Sequence, residues 1–197
     1  MLIIISIILT AAAAVLLLYY FFRRKGMKEQ ILSHLERLAA TMQITSARIS
    51  TIPMTLSGRY RTHQMLIECL LKKIDGRKKQ CWVISAAIGN IADRFYLQSE
   101  SQEGKLRKII SLDLMTTGDE LFDRQVMVFS SNTNLARRVF NPYMRHRFLW
   151  ADFKDFALDV RDTSAVLELY VDELTNARYI RHALEVFSEF LNVLESV

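Results

Sequence analysis

The chain has 197 residues, 51% of them hydrophobic, with 26 Lys and Arg against 21 Asp and Glu for a formal net charge of +5. Two cysteines and two prolines are too few for a disulfide-stapled secreted scaffold or a proline-rich disordered chain. The charge is unevenly spread. Residues 23–150 carry 22 basic against 11 acidic side chains and residues 151–197 carry 4 against 10; either the first region is drawn to anionic lipid and the second faces away or meets a basic partner, or the two pair with each other within one compact domain.

Leu2 to Phe22 form one apolar run interrupted only by Ser6 and Thr10. As a helix it spans about 30 Å, the thickness of a bilayer's hydrocarbon core. Ser6, Thr10 and Ala14 recur at i, i+4, i+8, a small-residue face that another membrane helix can approach closely. Tyr19 and Tyr20 suit the headgroup level, and Arg23, Arg24 and Lys25 follow with no charge ahead of the run. The positive-inside rule then predicts Met1 outside and the rest of the chain in the cytoplasm. A cleaved signal peptide competes, because Ala11 to Ala14 resemble a cleavage site. The missing cationic n-region and the apolar continuation from Val15 to Phe21 favour an anchor over residues 1–25.

Met27, Ile31, Leu35, Leu38 and Met42 then recur at helical spacing, predicting an amphipathic linker helix over 26–43 that lies on the domain or on the membrane surface. From Ile44 the texture becomes β-branched, with Pro53 and Gly58 as punctuation. Arg59–Lys73 and Lys79–Ile88 read as strands of a hairpin around Asp75-Gly76, and Gly89-Asn90 ends the second. If that hairpin forms, Cys69 and Cys81 lie nearly opposite each other. Both read as small core residues, since a reducing cytoplasm disfavours a disulfide.

Arg94–Ser99 is a short strand, Gln102-Glu103-Gly104 a turn, and Leu106 to Leu114 alternate with period two. Gln125–Phe129, apolar on both faces, predicts a central strand. A helical stretch from Asn134 to Phe153 breaks at Asn141-Pro142. Another hairpin turns at Asp162-Thr163-Ser164, and a helix capped by Asn176 repeats apolar residues from Ile180 to Leu194. Strands in runs rather than in alternation with helices predict an α+β domain over 44–197, a mostly antiparallel sheet with helices packed on one face.

No metal or cofactor motif and no catalytic residues emerge. Asp119, Glu120 and Asp123 lack the spacing of a calcium loop and read as a solvated turn, and the four histidines are scattered. The densest unexplained feature is Arg137-Arg138 followed by Arg145, Arg147 and Trp150, arginine interleaved with aromatics, which marks a candidate interaction surface. Arg there suits a protein partner or an anionic headgroup layer; nucleic acid is disfavoured because no binding module is present.

Thr117 to Val128, followed by Asn134 to Pro142, resembles a GDxxFDRxFxV-like strand and short helix of uncharacterised bacterial membrane-anchored proteins. The resemblance covers about 40 residues and differs at Val126 and Met127. It implies a bacterial inner membrane and supplies no activity. The expected function is therefore non-enzymatic: an accessory, assembly or scaffolding subunit of a larger inner-membrane complex. The alternative is a tethered binding module for lipid or another apolar ligand.

Overall fold

A computed structural model describes residues 25–26, 28–51, 53–74, 77–99, 112–151, 153, 155–171 and 177–197. The expected span, with Ser6, Thr10, Ala14, Tyr19, Tyr20, Arg23 and Arg24, lies outside them. So do the turns at 75–76 and 102–104 and the cap at Asn176. Among the described residues no helix is long and apolar enough to cross a membrane.

Seven strands form one antiparallel sheet: β1 (Thr45–Thr51), β2 (Met54–Tyr60), β3 (His63–Ile74), β4 (Arg77–Ser99), β5 (Asp113–Met115), β6 (Val126–Ser130) and β7 (Phe156–Val171). Helix α1 spans residues 28–41. The later helices are α2 (Glu120–Gln125), α3 (Thr133–Val139), α4 (Pro142–Trp150) and α5 (Ala177–Ser196). The fold is α+β, as the run of strands predicted.

The centre of the sheet is unusual. Asp155 and Tyr170 stand at the two ends of β7, yet the Tyr170 N–H donates to the Asp155 carbonyl at 2.9 Å. A straight strand would hold them about 50 Å apart, so β7 doubles back through the exposed residues 161–164, where Asp162 has φ 47° and the Ser164 hydroxyl donates to the Arg161 carbonyl. β4 doubles back around it. Ala86 pairs Ala165 and Phe95 pairs Val160, so nine steps of β4 wrap five of β7. The turn signals at Gly89-Asn90 and Asp162-Thr163-Ser164 thus mark reversals inside two long paired elements. β3 pairs one arm of β4 and β6 the other.

This nesting aligns apolar side chains in rows across the sheet. Leu56 pairs Ile67, which pairs Ile84, which pairs Leu167; on the other arm Leu158, Leu97, Val128 and Met115 continue in the same way. All are buried, and the helices cover them with Leu35, Leu38, Phe187, Phe190 and Leu191. α1 therefore spends its apolar stripe (Ile31, Leu35, Leu38) on the domain core, which leaves only its polar side for a membrane surface.

Three expectations change. The stretch 59–73 is split by a two-residue turn at Arg61-Thr62, with Arg61 at φ 54°; no glycine or asparagine announces it. β6 lies next to the three-residue edge strand β5 and is not central. Cys69 pairs Trp82 whereas Cys81 pairs Leu70, so these neighbouring registers send the two thiols to opposite faces, out of contact. Both are free, and burial pushes each up to about 12.

Both thiols therefore stay protonated at pH 8. Iodoacetamide is expected to label neither in the native protein and both after denaturation, as counted by mass spectrometry. Gly58 lies within β2 and marks a close approach: a Cβ there meets Ile44 Cγ2 at 2.4 Å and backbone atoms of Ala47 and Thr45 at 3.1 Å. Gly58→Ala should cost about 1–3 kcal/mol. Gly89→Ala, with nothing within 4 Å of the new atom, should be close to neutral in the same thermal melts.

Candidate functional site

The segment read as a solvated turn is a capped helix. Asp119 Oδ1 accepts the Phe122 N–H at 3.2 Å, closing the first turn of α2. The Asp123 carboxylate accepts the backbone N–H groups of Thr117 and Gly118 at 3.0 Å and the Thr117 hydroxyl at 2.8 Å. Gly118 sits at φ 82°, where a Cβ would strain the backbone. The Asp119 and Asp123 carboxylates are engaged by local backbone bonds, the exposed Glu120 pairs with Arg124, and Phe122 is driven into the core.

Arg145 belongs to this knot. Its guanidinium donates to the Thr117 carbonyl at 3.0 Å and lies 3.5 Å from Asp119 Oδ2. Arg147 is bound elsewhere: Nε and Nη2 donate to the two oxygens of Glu189 on α5 at 2.6 and 3.2 Å. The Tyr143 hydroxyl donates to the same carboxylate at 3.0 Å, and Arg61, on the β2–β3 turn, approaches it at 3.9 Å. The Glu189 bond raises the Arg147 pKa further, and burial with that same carboxylate pushes the Tyr143 phenol up. Arg138 donates to the Val197 carbonyl, and Arg137 is exposed. The four arginines grouped by sequence therefore do not form one surface. Arg145 and Arg147 are pins of the fold.

What α4 does expose is an aromatic stripe. Asn141 caps the helix and Pro142 opens it, which fixes its phase so that Met144 and Phe148 enter the core. Phe148 packs on Phe140, Phe153, Phe156 and Phe190. On the opposite side Tyr143 is 55% and Trp150 72% exposed, and the His146 ring lies 5.1 Å from that of Trp150. Trp82, the other tryptophan, is fully buried. A solvent-facing Trp and His with tilted rings in contact, beside a Tyr, offer contact area at small entropic cost, the usual make-up of an interface anchor.

Sequence spacing missed the partners on α5. His63 is buried, its Nε2 3.2 Å from Glu195 and its Nδ1 3.1 Å from the Thr62 hydroxyl, which donates to Asn192 Oδ1. Together with Arg61 and Glu189 these bonds fasten the β2–β3 turn to α5 across more than a hundred residues. No local pattern encodes such a pairing. Among the described residues no group of three His, Cys, Asp or Glu is placed to hold a metal. Among the described residues, half-open cavities include one of about 240 Å³ lined by Leu38, Thr41, Arg178 and Arg181 and one of about 200 Å³ beside β5 and α2. Both fall below the size that encloses a drug-sized ligand.

No family model matches the chain, and no curated protein does. A solved structure shares the fold: the crystal structure of the mycobacterial trehalose monomycolate transport factor A, TtfA. It matches at a TM-score of 0.59 and 14% sequence identity, over 86% of this chain and 94% of that one.

Arg147 and Glu189 are both mostly shielded from water, at 23% and 19% side-chain exposure. Arg147→Ala should lower stability by about 1.5–3 kcal/mol, the worth of hydrogen bonds to a charged group. Adding Glu189→Gln should recover part of that loss, since the carboxylate, left with the Tyr143 hydroxyl and the more distant Arg61, has lost its bidentate partner. Arg137→Ala should stay within about 0.5 kcal/mol in the same denaturant titrations.

Proposed function

We propose that this protein is a non-enzymatic, single-pass membrane protein whose α+β domain serves as an accessory, assembly or scaffolding subunit of a larger inner-membrane complex. The stripe Tyr143, His146 and Trp150 is the observation that carries the reading. Polar groups that sequence singled out are occupied by intramolecular bonds at Asp119, Asp123, Arg145, Arg147 and His63, while a tryptophan at 72% exposure is left to solvent. Large aromatics presented on a rigid helix face supply binding energy to a protein partner.

Membrane attachment rests on the apolar run 2–22 and on Arg23, Arg24 and Lys25, which orient the domain to the cytoplasm. The small-residue face Ser6, Thr10 and Ala14 provides for a second contact within the bilayer. The shared fold with a protein named as a transport factor is consistent with a helper of membrane transport, and at 14% identity it carries no further. The second reading, an apolar ligand held between sheet and helices, has no observation of its own in its favour: the cavities lined by described residues at Leu38 and Thr41 and beside β5 are small and half-open.

The test is co-purification of the full chain in mild detergent. His146→Ala with Trp150→Ala should abolish recovery of the partner, with a melting temperature within a degree or two of the parent. Undiminished recovery would remove the stripe from the interface. A reporter active only outside the cytoplasm, fused after Val197, should be silent; strong activity would reverse the orientation.

A further inference from the structure

We infer that Arg61 extends the α4 stripe into a site for an acidic segment of the protein partner, a carboxylate set next to an aromatic or aliphatic side chain; this rests on the interface reading above. Arg61 is the first residue of the two-residue β2–β3 turn, which the pair Tyr60 and His63 closes. Its φ is 54°, a conformation for which such turns ordinarily use glycine or asparagine. The chain therefore keeps an arginine where a residue without a Cβ would be less strained. Strain held at one exposed side chain points to a use for that side chain.

The fold itself draws little from the Arg61 charge. Its Nη1 stops 3.9 Å from Glu189 Oε1, beyond hydrogen-bond reach, and the side chain is 44% exposed. An exposed pair of that length contributes little to stability. Glu189 is already engaged, since Arg147 bridges both of its oxygens and the Tyr143 hydroxyl donates to Oε2. Glu185, one turn earlier on α5, is met by Arg181 and His182 of the same helix. Arg61 and Arg147 against Glu189 thus leave one positive charge in excess where α4, α5 and the β2–β3 turn meet.

Geometry joins that charge to the stripe. Tyr143 and Arg61 both end on the Glu189 carboxylate, so the guanidinium lies beside the exposed phenol, and His146 and Trp150 continue from Tyr143 along α4. The turn that carries Arg61 is fastened in advance: the Thr62 hydroxyl donates to Asn192, the buried His63 meets Glu195, and the Arg61 guanidinium lies over the Tyr60 ring, 5.4 Å from its centre. A planar guanidinium on a fixed backbone suits two-point recognition of a carboxylate, with little left to order on binding. Anionic lipid is read by clusters of basic residues. A single excess charge beside aromatic rings is instead the make-up of a contact with a protein segment.

The experiment selects short random peptides from a display library on the full chain in mild detergent and measures the affinity of the recovered peptides by fluorescence anisotropy. Peptides released by Trp150→Ala are expected to carry Asp or Glu next to an aromatic or aliphatic residue. Arg61→Gln should weaken them about fivefold and flatten their salt dependence. Changing the peptide's acid to its amide should have the same effect, with no further loss when the two changes are combined. Arg61→Lys should restore part of the affinity, and the thermal melts of both variants should overlay that of the parent. Peptides that need Trp150 but carry no acid, or that bind Arg61→Gln as they bind the parent, overturn the acidic segment and leave the stripe standing. Peptides indifferent to Trp150→Ala overturn the stripe, and the site with it. Binding of phosphatidylglycerol in mixed micelles that is lost with Arg61→Gln, with no acid among the peptides, assigns the charge to lipid and overturns the acidic segment.

Discussion

The rest of the structure depends on the reversal of β4 around β7. One long strand lends an arm to β3, an arm to β6 and its whole inner edge to β7, so every strand but β1, β2 and β5 takes its register directly from it. A slip of one residue would turn the Ile84 and Leu97 rows out to solvent. The reversal consumes an odd number of steps on each strand. Apolar positions are therefore even-numbered before the bend of β4 and odd-numbered after it, with the same order on β7, and one continuous apolar face results. The helices have a single place to go.

α5 is the counterpart of that constraint. Its buried side is wide, running through Ile180, Ala183, Leu184, Phe187, Phe190, Leu191 and Leu194, because it meets the sheet on one flank and the phenylalanines of α3 and α4 on the other. The remaining stripe carries Glu185, Glu189, Asn192 and Glu195. Glu185, Glu189 and Glu195 are three of the ten acidic residues of 151–197; Glu189 is met by Arg61 and Arg147 and Glu195 by His63 from elsewhere in the fold, while Glu185 pairs with Arg181 and His182 on α5 itself. Part of the charge asymmetry in the sequence is thus cancelled inside the domain. What α4 leaves to solvent is of another kind, an aromatic stripe.

The α4 stripe differs in kind from the charged pairs that pin α5. Those pairs are closed within the domain, whereas the tilted rings of His146 and Trp150 face solvent, and an aromatic face of that sort acts only on contact and depends on shape.

Sequence by itself determined the class of fold, most of the element boundaries and the likeness of the amino-terminal run to a membrane span. Such features are written in local periodicity, in caps such as Asn141-Pro142 and in turn residues such as Asp162-Thr163-Ser164. Tertiary structure alone decided which charges are free. Arg145 and Arg147 look alike in sequence to Arg137, but their partners, Thr117 and Glu189, stand 28 and 42 positions away and are brought near only by the packing of α2 and α5 against α4. The same is true of His63 and Glu195. Periodicity reports which side of an element is apolar, whereas the fate of a polar side chain depends on what the completed fold sets against it.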